Sequence, residues 1–276
     1  MRRNGLPDWA KRRIQRDPEV ALGFFEKAAR VGERKYGADS PQALYMREQY
    51  AVALHRAGES EKAEAELAAV LARGGPPWDA GDLWPRYAKS WHATVLYELG
   101  RFDEAEPEWR ELAADYDRLL GADHPEAIEA HEYHALTLER LDRVAEAEAE
   151  MADVIGKKTA VSGGDDAATL ANRTSQAVYL GTLGRHAESE AAWRALAEAK
   201  GRSLGADHAD TIGAREMLAA ALYAQRRLQE AAADHGEVMA LRAATVGPDD
   251  PDTKRAQDWQ AAIQREIKGP DQASTV

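Results

Sequence analysis

The sequence predicts an all-α fold, a right-handed solenoid of helix-turn-helix repeats with a period of 42 residues. A loop motif, Gly-Ala-Asp followed by Ser or His, begins at positions 37, 121 and 205. Degenerate copies begin at positions 163 and 247, and an eroded copy lies near position 79. A second motif begins with a leucine at positions 54, 96, 138, 180 and 222. Two alternating motifs with one strict period indicate an array of helix pairs joined by two kinds of turn.

The helix ends follow from residues with special backbone or capping properties. A proline at the first helical position costs no hydrogen bond. Three units have a proline at the predicted position: Pro41, Pro125 and Pro251. Short polar side chains that can cap the helix precede the first turn at Ser40, Asp166 and Asp250. Glycines that can adopt the left-handed conformation end the first helix of three units at Gly58, Gly100 and Gly184.

The predicted core consists of columns of residues spaced by 42. Small residues let two helices approach closely, and large residues fill the gap to the neighbouring helix. The alanine column of the first helices is Ala51, Ala93, Ala135, Ala177, Ala219 and Ala261. The large column of the second helices is Phe25, Leu67, Trp109, Met151, Trp193 and His235. Such columns indicate a solenoid in which each repeat contacts only its neighbours.

One repeat shows the spacing most clearly, with Ala93, Leu96, Gly100, Phe102 and Ala105 in order. This pattern resembles the tetratricopeptide repeat (TPR), and it covers five full units over residues 37–246. The loop motif and the 42-residue period are similar to repeats of the kinesin-light-chain type, which bacteria also use, alone or behind signalling NTPase modules. The resemblance implies a TPR solenoid in a stand-alone bacterial form that binds a protein or a peptide.

One element of the kinesin-light-chain pattern is missing. In that family, paired asparagines precede the alanine column and grip an extended peptide backbone. The chain has other residue pairs at these five places: Glu48-Gln49, Ser90-Trp91, Glu132-Tyr133, Thr174-Ser175 and Glu216-Met217. The recognition chemistry is therefore expected to differ from that of kinesin cargo binding.

The chain divides into four predicted segments. Residues 1–35 form a basic N-terminal arm with capping helices, the second of which has Phe24, Phe25 and Ala28 facing inward. Residues 36–250 form five TPR units, and residues 251–268 form a C-terminal capping helix. Residues 269–276 are expected to be disordered.

Charge and composition limit the possible partners. The net charge is −12, yet residues 1–16 hold six basic side chains against one acidic side chain, which leaves −17 on the remainder. An acidic body does not suit nucleic acid, and no apolar run is long enough to span a bilayer. We expect a cytoplasmic protein with a basic partner, or with its arm on acidic surface in cis or in a neighbouring molecule. The sequence leaves the oligomeric state open.

The predicted binding face is the concave wall, which first-helix positions opposite the alanine and leucine columns would line. Its first half is aromatic and its centre is acidic. Surface aromatic residues are common interface anchors, so we expect a partner with a basic segment and an apolar anchor. The candidate residues are Tyr45, Glu48, Tyr87, Trp91, Tyr97, Glu129, Glu132, Tyr133, Glu139 and Tyr223.

Catalytic and metal sites are not expected. His131 and His134 lack the spacing that places two imidazoles on one metal, and the chain has no cysteine. No nucleophile elbow or phosphate-binding glycine loop is present, so we expect no cofactor and no enzymatic activity. Beside a scaffold or adaptor, two alternatives remain. One is a regulatory sensor of a short signalling peptide, and the more remote one is an enzyme that uses the groove carboxylates.

Overall fold

A computed structural model describes residues 17–73 and 83–269, which form twelve α-helices and no strand. The all-α helical-repeat class is therefore confirmed. The first six helices are α1 (Pro18–Tyr36), α2 (Pro41–Arg56), α3 (Ser60–Arg73), α4 (Trp84–Glu98), α5 (Phe102–Leu120) and α6 (Pro125–Arg140). The other six are α7 (Val144–Ser162), α8 (Ala167–Thr182), α9 (His186–Leu204), α10 (Ala209–Ala224), α11 (Leu228–Thr245) and α12 (Pro251–Lys268).

The chain forms two compact units that meet in sequence between Asp142 and Arg143. Unit 1 holds α1–α6 and unit 2 holds α7–α12. Within each unit, every helix packs against the helix before it and the helix after it. In unit 1, α2 also contacts α4, the first helix of the next repeat. This contact covers part of the first-helix surface that the sequence predicted to be open.

The predicted columns form the core of each unit. Five of the six column alanines, from Ala51 to Ala219, are fully buried, and so are the leucines three positions after them. The large column of the second helices is also buried from Leu67 to His235. Close packing of small against large side chains therefore holds the helix pairs together, as the spacing predicted.

The two ends of the array differ from the prediction. Ala261 of α12 is exposed, because no described helix follows α12 to cover that face. Phe24 of α1 is also exposed rather than inward, although its ring packs edge-on against Phe25 at 5.2 Å. The helix α12, Pro251–Lys268, spans the residues predicted for the C-terminal capping helix. The basic arm within residues 1–16 and the tail from residue 270 lie outside the described residues.

The turn between the two helices of a repeat always contains one left-handed residue. Gly58, Gly100 and Gly184 have φ values of 82°, 75° and 73°, as predicted. The same turn position is occupied by Asp142 and Arg226, with φ values of 60° and 62°. Side chains with a Cβ are strained in this conformation, so these two turns retain the repeat geometry at an energetic cost.

The loop between repeats uses capping side chains. Ser40, Asp166 and Asp250 accept hydrogen bonds from backbone N–H groups of the following turn, which confirms them as N-caps. His124 and His208 occupy the same position, and the Nδ1 atom of each accepts from the N–H two residues later. An imidazole therefore replaces the usual hydroxyl or carboxylate cap in two loops.

Four of the second helices, α5, α7, α9 and α11, begin with an arginine–glutamate pair that the sequence analysis did not identify. Arg101 donates from Nε and Nη2 to the two carboxylate oxygens of Glu104, at 2.7 Å each. The pair recurs as Arg143–Glu146, Arg185–Glu188 and Arg227–Glu230. Three of these arginines also contact a glutamate of the preceding repeat: Glu64, Glu148 and Glu190. Exposed pairs of this kind add little stability each, and the contacts to Glu64, Glu148 and Glu190 connect neighbouring repeats.

Candidate partner-binding site

Unit 1 contains a cavity of about 220 Å³ at the junction of α4, α5 and α6, here called the aromatic pocket. Four of the ten candidate residues line it: Tyr87, Trp91, Glu129 and Tyr133. Ser90, Thr94, Trp109, Tyr116, Glu126 and Ala130 complete the lining. Aromatic rings from three helices therefore surround one small space.

Carboxylates dominate the charge of the aromatic pocket. Glu126 and Glu129 both line it, whereas none of the arginines or lysines within the described ranges does. Burial raises the pKa of Tyr87, and the charge of Glu126 together with its hydrogen bond raises it further. Burial also raises the pKa of Tyr116, with the charges of Glu126 and Glu129 acting in the same direction. The pocket therefore has a negative potential beside apolar rings.

The nearby cation Arg86 pairs with an acid outside the pocket lining. Its Nε donates to Asp115 Oδ2 at 2.9 Å, and Arg118 binds the other oxygen of the same carboxylate at 2.8 Å. Asp115 therefore binds both arginines.

Tyr97 and Tyr133 continue the aromatic surface from the pocket. Their rings meet edge-on at 6.2 Å, and Tyr97 also contacts Phe102 at 5.3 Å. Both tyrosines are half-buried and pack against the core of unit 1. The sequence analysis placed both tyrosines on the concave wall. Their rings lie next to each other, but they pack partly against the core rather than lining an open groove.

Glu48 does not lie on an open face, which corrects the prediction. Its side chain is 3% exposed, because α4 covers this side of α2 and places Trp84 beside the carboxyl group. Burial raises the pKa of Glu48 to about 7, and hydrogen bonds from Trp84 and Gln49 offset only part of this effect. One oxygen, Oε2, has no hydrogen-bond partner within the described ranges. Glu48 is therefore unable to contact a partner in this conformation.

The remaining candidates lie apart from the pocket lining. Tyr45 on α2 is 50% exposed, whereas Glu132 and Glu139 are half-buried on α6. Tyr223 belongs to unit 2, where its hydroxyl donates to Glu266 Oε2 at 2.6 Å and its ring contacts Trp259. Their roles in partner binding stay predictions.

The sequence analysis did not predict three of the residues that line the pocket: Trp109, Tyr116 and Glu126. Trp109 and Tyr116 are seven residues apart on α5, so they share one helix face. Trp109 was assigned only to the core column, because the second helices were expected to stay behind the binding face. Glu126 lies in the first turn of α6, and the sequence analysis assigned it to no face. The seven-residue aromatic spacing on α5 was the available signal.

The histidines of α6 have separate partners. His131 Nε2 lies 3.1 Å from Asp117 Oδ2, and His134 Nε2 lies 3.4 Å from Glu106 Oε1. Over residues 17–73 and 83–269, no group of three histidine, cysteine or acidic side chains is placed to hold a metal ion. In the same ranges, no helix has both the length and the apolar character needed to cross a membrane.

The comparisons with known proteins place this chain among helical-repeat proteins. The tetratricopeptide-repeat family model matches residues 93–126 and 211–252. Among curated proteins, none matches the sequence.

Three solved structures have a similar fold. The kinesin-light-chain TPR-like repeats of Podosopora anserina are 19% identical, with a TM-score of 0.64 over 75% of this chain and 98% of that chain. BtubC (BKLC) from P. vanneervenii is 16% identical, with a TM-score of 0.64 over 85% of this chain and 92% of that chain. A tetratricopeptide repeat protein from Parabacteroides merdae is 15% identical, with a TM-score of 0.56 over 94% and 91%.

The chain therefore has the helical-repeat fold of tetratricopeptide-repeat proteins, and two of its segments match the tetratricopeptide-repeat family model. Its fold is similar to that of the solved kinesin-light-chain repeats, so the resemblance expected from the sequence is confirmed at the level of the fold. Protein–protein interaction is typical of such repeats.

Proposed function

We propose that the protein is a scaffold or adaptor that binds a protein or peptide partner through the face of unit 1 that carries the aromatic pocket. The observation that supports this proposal is the convergence of Tyr87, Trp91 and Tyr133 on one cavity. Tryptophan and tyrosine are enriched among residues that dominate binding energy, because they bury a large area at a low entropic cost.

The partner has a basic segment and a large anchoring side chain. The chain carries a net charge of −12, and the acidic residues Glu129, Glu132 and Glu139 lie along α6 beside the aromatic surface. Charges at the edge of an interface mainly steer the encounter, so a basic partner associates faster at low salt. The anchor accounts for most of the affinity.

The two alternatives make different demands on the ligand. A sensor would bind a short signalling peptide, whereas a scaffold binds a folded protein or a long segment. An enzyme would return its ligand chemically altered, and our proposal is that the protein works by binding without catalysis. We place this activity in the cytoplasm. Mass spectrometry of proteins and short peptides captured from a lysate distinguishes these cases by ligand size and by chemical change.

The test is a titration of the captured partner against variants of unit 1. Trp91→Ala removes an anchor contact and should cost about 2 kcal/mol of binding free energy. Glu132→Lys should slow association at low salt without unfolding the helices. Trp91→Phe retains a ring, and Glu198→Lys makes the same charge change at an exposed site of unit 2. Full-strength binding by both test variants would show that this face is not the binding site.

A further inference from the structure

We propose that the aromatic pocket of unit 1 receives an arginine side chain of the partner. This inference rests on the proposed function, and it assigns a cationic group to the space that the sequence analysis reserved for an apolar anchor. The observation behind it is that the rings and the acidic residues, separate in the sequence pattern, share one cavity.

The charge of the pocket favours a cation over an apolar side chain. Glu126 and Glu129 line the same space as the aromatic rings, and no arginine or lysine of residues 17–73 or 83–269 lines it. An apolar anchor would remove water from these carboxylates and give no compensating interaction. A cation replaces the lost water with a charge-assisted hydrogen bond.

The rings of this region already engage guanidinium groups within unit 1. The guanidinium of Arg56 lies 5.9 Å from the centre of the Trp91 ring. The guanidinium of Arg140 lies 5.0 Å from the centre of the Phe102 ring. The face of an aromatic ring attracts cations within about 6 Å, and arginine stacks on it more readily than lysine because its guanidinium is planar and weakly hydrated.

Two buried polar atoms in the lining also suit a peptide ligand. The hydroxyl of Tyr116 and the Nε1 of Trp109 have no hydrogen-bond partner in the described part of the chain, and each residue is only 2% exposed. The hydroxyl oxygen can accept from one of the five guanidinium N–H groups, and the indole N–H can donate to a peptide carbonyl. Lysine offers only three donors from one point.

The size of the pocket fits one side chain. Its volume of about 220 Å³ is below the range of roughly 300–1,000 Å³ that is usual for small-molecule sites. The pocket therefore accepts the end of a single residue, with the rest of the partner outside it.

The experiment uses the full chain and four tripeptides. The probe is acetyl-Gly-Arg-Gly-amide, and the matched peptides have citrulline, lysine or leucine in place of arginine. Binding is followed through the indole N–H signals of Trp91 and Trp109 in nitrogen-15 spectra, assigned with Trp91→Phe. We expect the arginine peptide to bind about tenfold more tightly than the citrulline peptide, which has the same shape without the charge.

Variants connect this selectivity to the pocket. Glu129→Gln should weaken arginine binding by about tenfold, since it removes a carboxylate at an exposed position on α6. Tyr116→Phe keeps the ring and should weaken it less. Glu19→Gln removes the same charge from an exposed position on α1 and should change nothing. Circular dichroism shows whether each variant retains its helices.

Equal affinity for the arginine and citrulline peptides, or tightest binding of the leucine peptide, would overturn the inference. So would an arginine peptide that shifts neither indole signal. The proposed function is tested separately, because it requires that the captured partner bind more weakly to Trp91→Ala or associate more slowly with Glu132→Lys. Impaired binding by those variants, together with no preference for arginine, would refute this inference alone.

Discussion

The indole of Trp109 lies flat against the ring of Tyr133, with ring centres 4.7 Å apart and planes 9° from parallel. Trp109 is buried in the core of unit 1, whereas Tyr133 is half-buried, and both line the aromatic pocket. The stack therefore connects a wall of the binding site directly to the hydrophobic core. A side chain that is fixed in this way loses little conformational entropy on binding, which favours affinity.

The stack leads to a prediction about stability. Tyr133→Ala removes both the stacking and the packing against the core, so it should lower the free energy of unfolding by about 1–3 kcal/mol. Tyr133→Phe keeps the ring and should stay close to the natural protein. Urea unfolding followed by circular dichroism measures both variants. Similar losses in the two would show that the hydroxyl, and not the stacked ring, stabilises the unit.

The leucine column gives a second prediction. Leu138 on α6 is almost completely buried, so Leu138→Ala should cost roughly 2–5 kcal/mol of unfolding free energy. Val161→Ala, at an exposed site on α7, removes apolar atoms without opening a cavity and serves as a control. An unchanged melting temperature for Leu138→Ala would contradict the assignment of this column to the core.

The fold could be predicted from sequence because the 42-residue period repeats the same packing many times. The columns of alanine and leucine, the caps and the glycine turns all follow from local periodicity. The site was predicted less well, because it depends on which neighbouring helix covers a given position. Glu48 and Tyr87 were both assigned to the open face, yet Trp84 of the next repeat covers Glu48. Likewise, Trp109 reaches both the core and the pocket, which a pattern along one helix does not reveal.

The buried carboxyl of Glu48 gives a prediction about pH. Its pKa rises from an ordinary 4.5 to about 7 on folding, because burial disfavours the charged form. Because the pKa is higher in the folded state, Glu48 contributes its full share to the free energy of unfolding at pH values below its unfolded pKa. This contribution is lost as pH rises through about 7. Glu48→Gln, which has no charge, should therefore be more stable than the natural protein at alkaline pH, by about 3 kcal/mol.

Urea unfolding of both proteins across this range of pH measures the effect. The advantage of Glu48→Gln should shrink as the pH falls and the natural carboxyl is protonated. A stability difference that does not change with pH would contradict a buried titrating carboxyl. Glu19→Gln, at an exposed site, controls for the change in net charge.

Backbone geometry at the two kinds of turn predicts opposite effects of glycine. Gly121 has φ 94° and ψ 148°, a region that is essentially restricted to glycine, so Gly121→Ala should cost about 1–3 kcal/mol. Asp142 is exposed at φ 60°, where a side chain is strained, so Asp142→Gly should gain about 1 kcal/mol. Thermal unfolding of the two variants compares these effects. A loss of stability in Asp142→Gly would mean that its side chain makes a stabilising contact that outweighs the strain.

Two buried histidines are expected to respond to pH in opposite directions. In unit 1, His92 Nδ1 lies 2.9 Å from Glu108 Oε2, and Nε2 lies 3.6 Å from Glu64 Oε1. Burial lowers the pKa of His92, but the hydrogen bond and charge of Glu108, together with Glu64, outweigh it and raise the pKa overall. In unit 2, burial beside Trp259 is the largest effect on His235, and its pKa is lowered despite a hydrogen bond to Gln260.

The signs follow from proton linkage. The contribution of His92 to the free energy of unfolding is complete below its ordinary pKa of 6.5. It is lost as pH rises through the higher pKa of the folded state. The stabilising contribution of His235 is complete above pH 6.5. It is lost as pH falls through the lower folded pKa, because the unfolded chain takes up the proton first.

His92→Gln should therefore be most destabilised under acidic conditions, with a smaller deficit at alkaline pH. His235→Met, which places a residue found in the same column at Met151, should show a weaker loss of stability on acidification than the natural protein. Urea midpoints of the three proteins on either side of neutral pH measure these slopes, and parallel curves for all three would show that neither imidazole changes its protonation on unfolding.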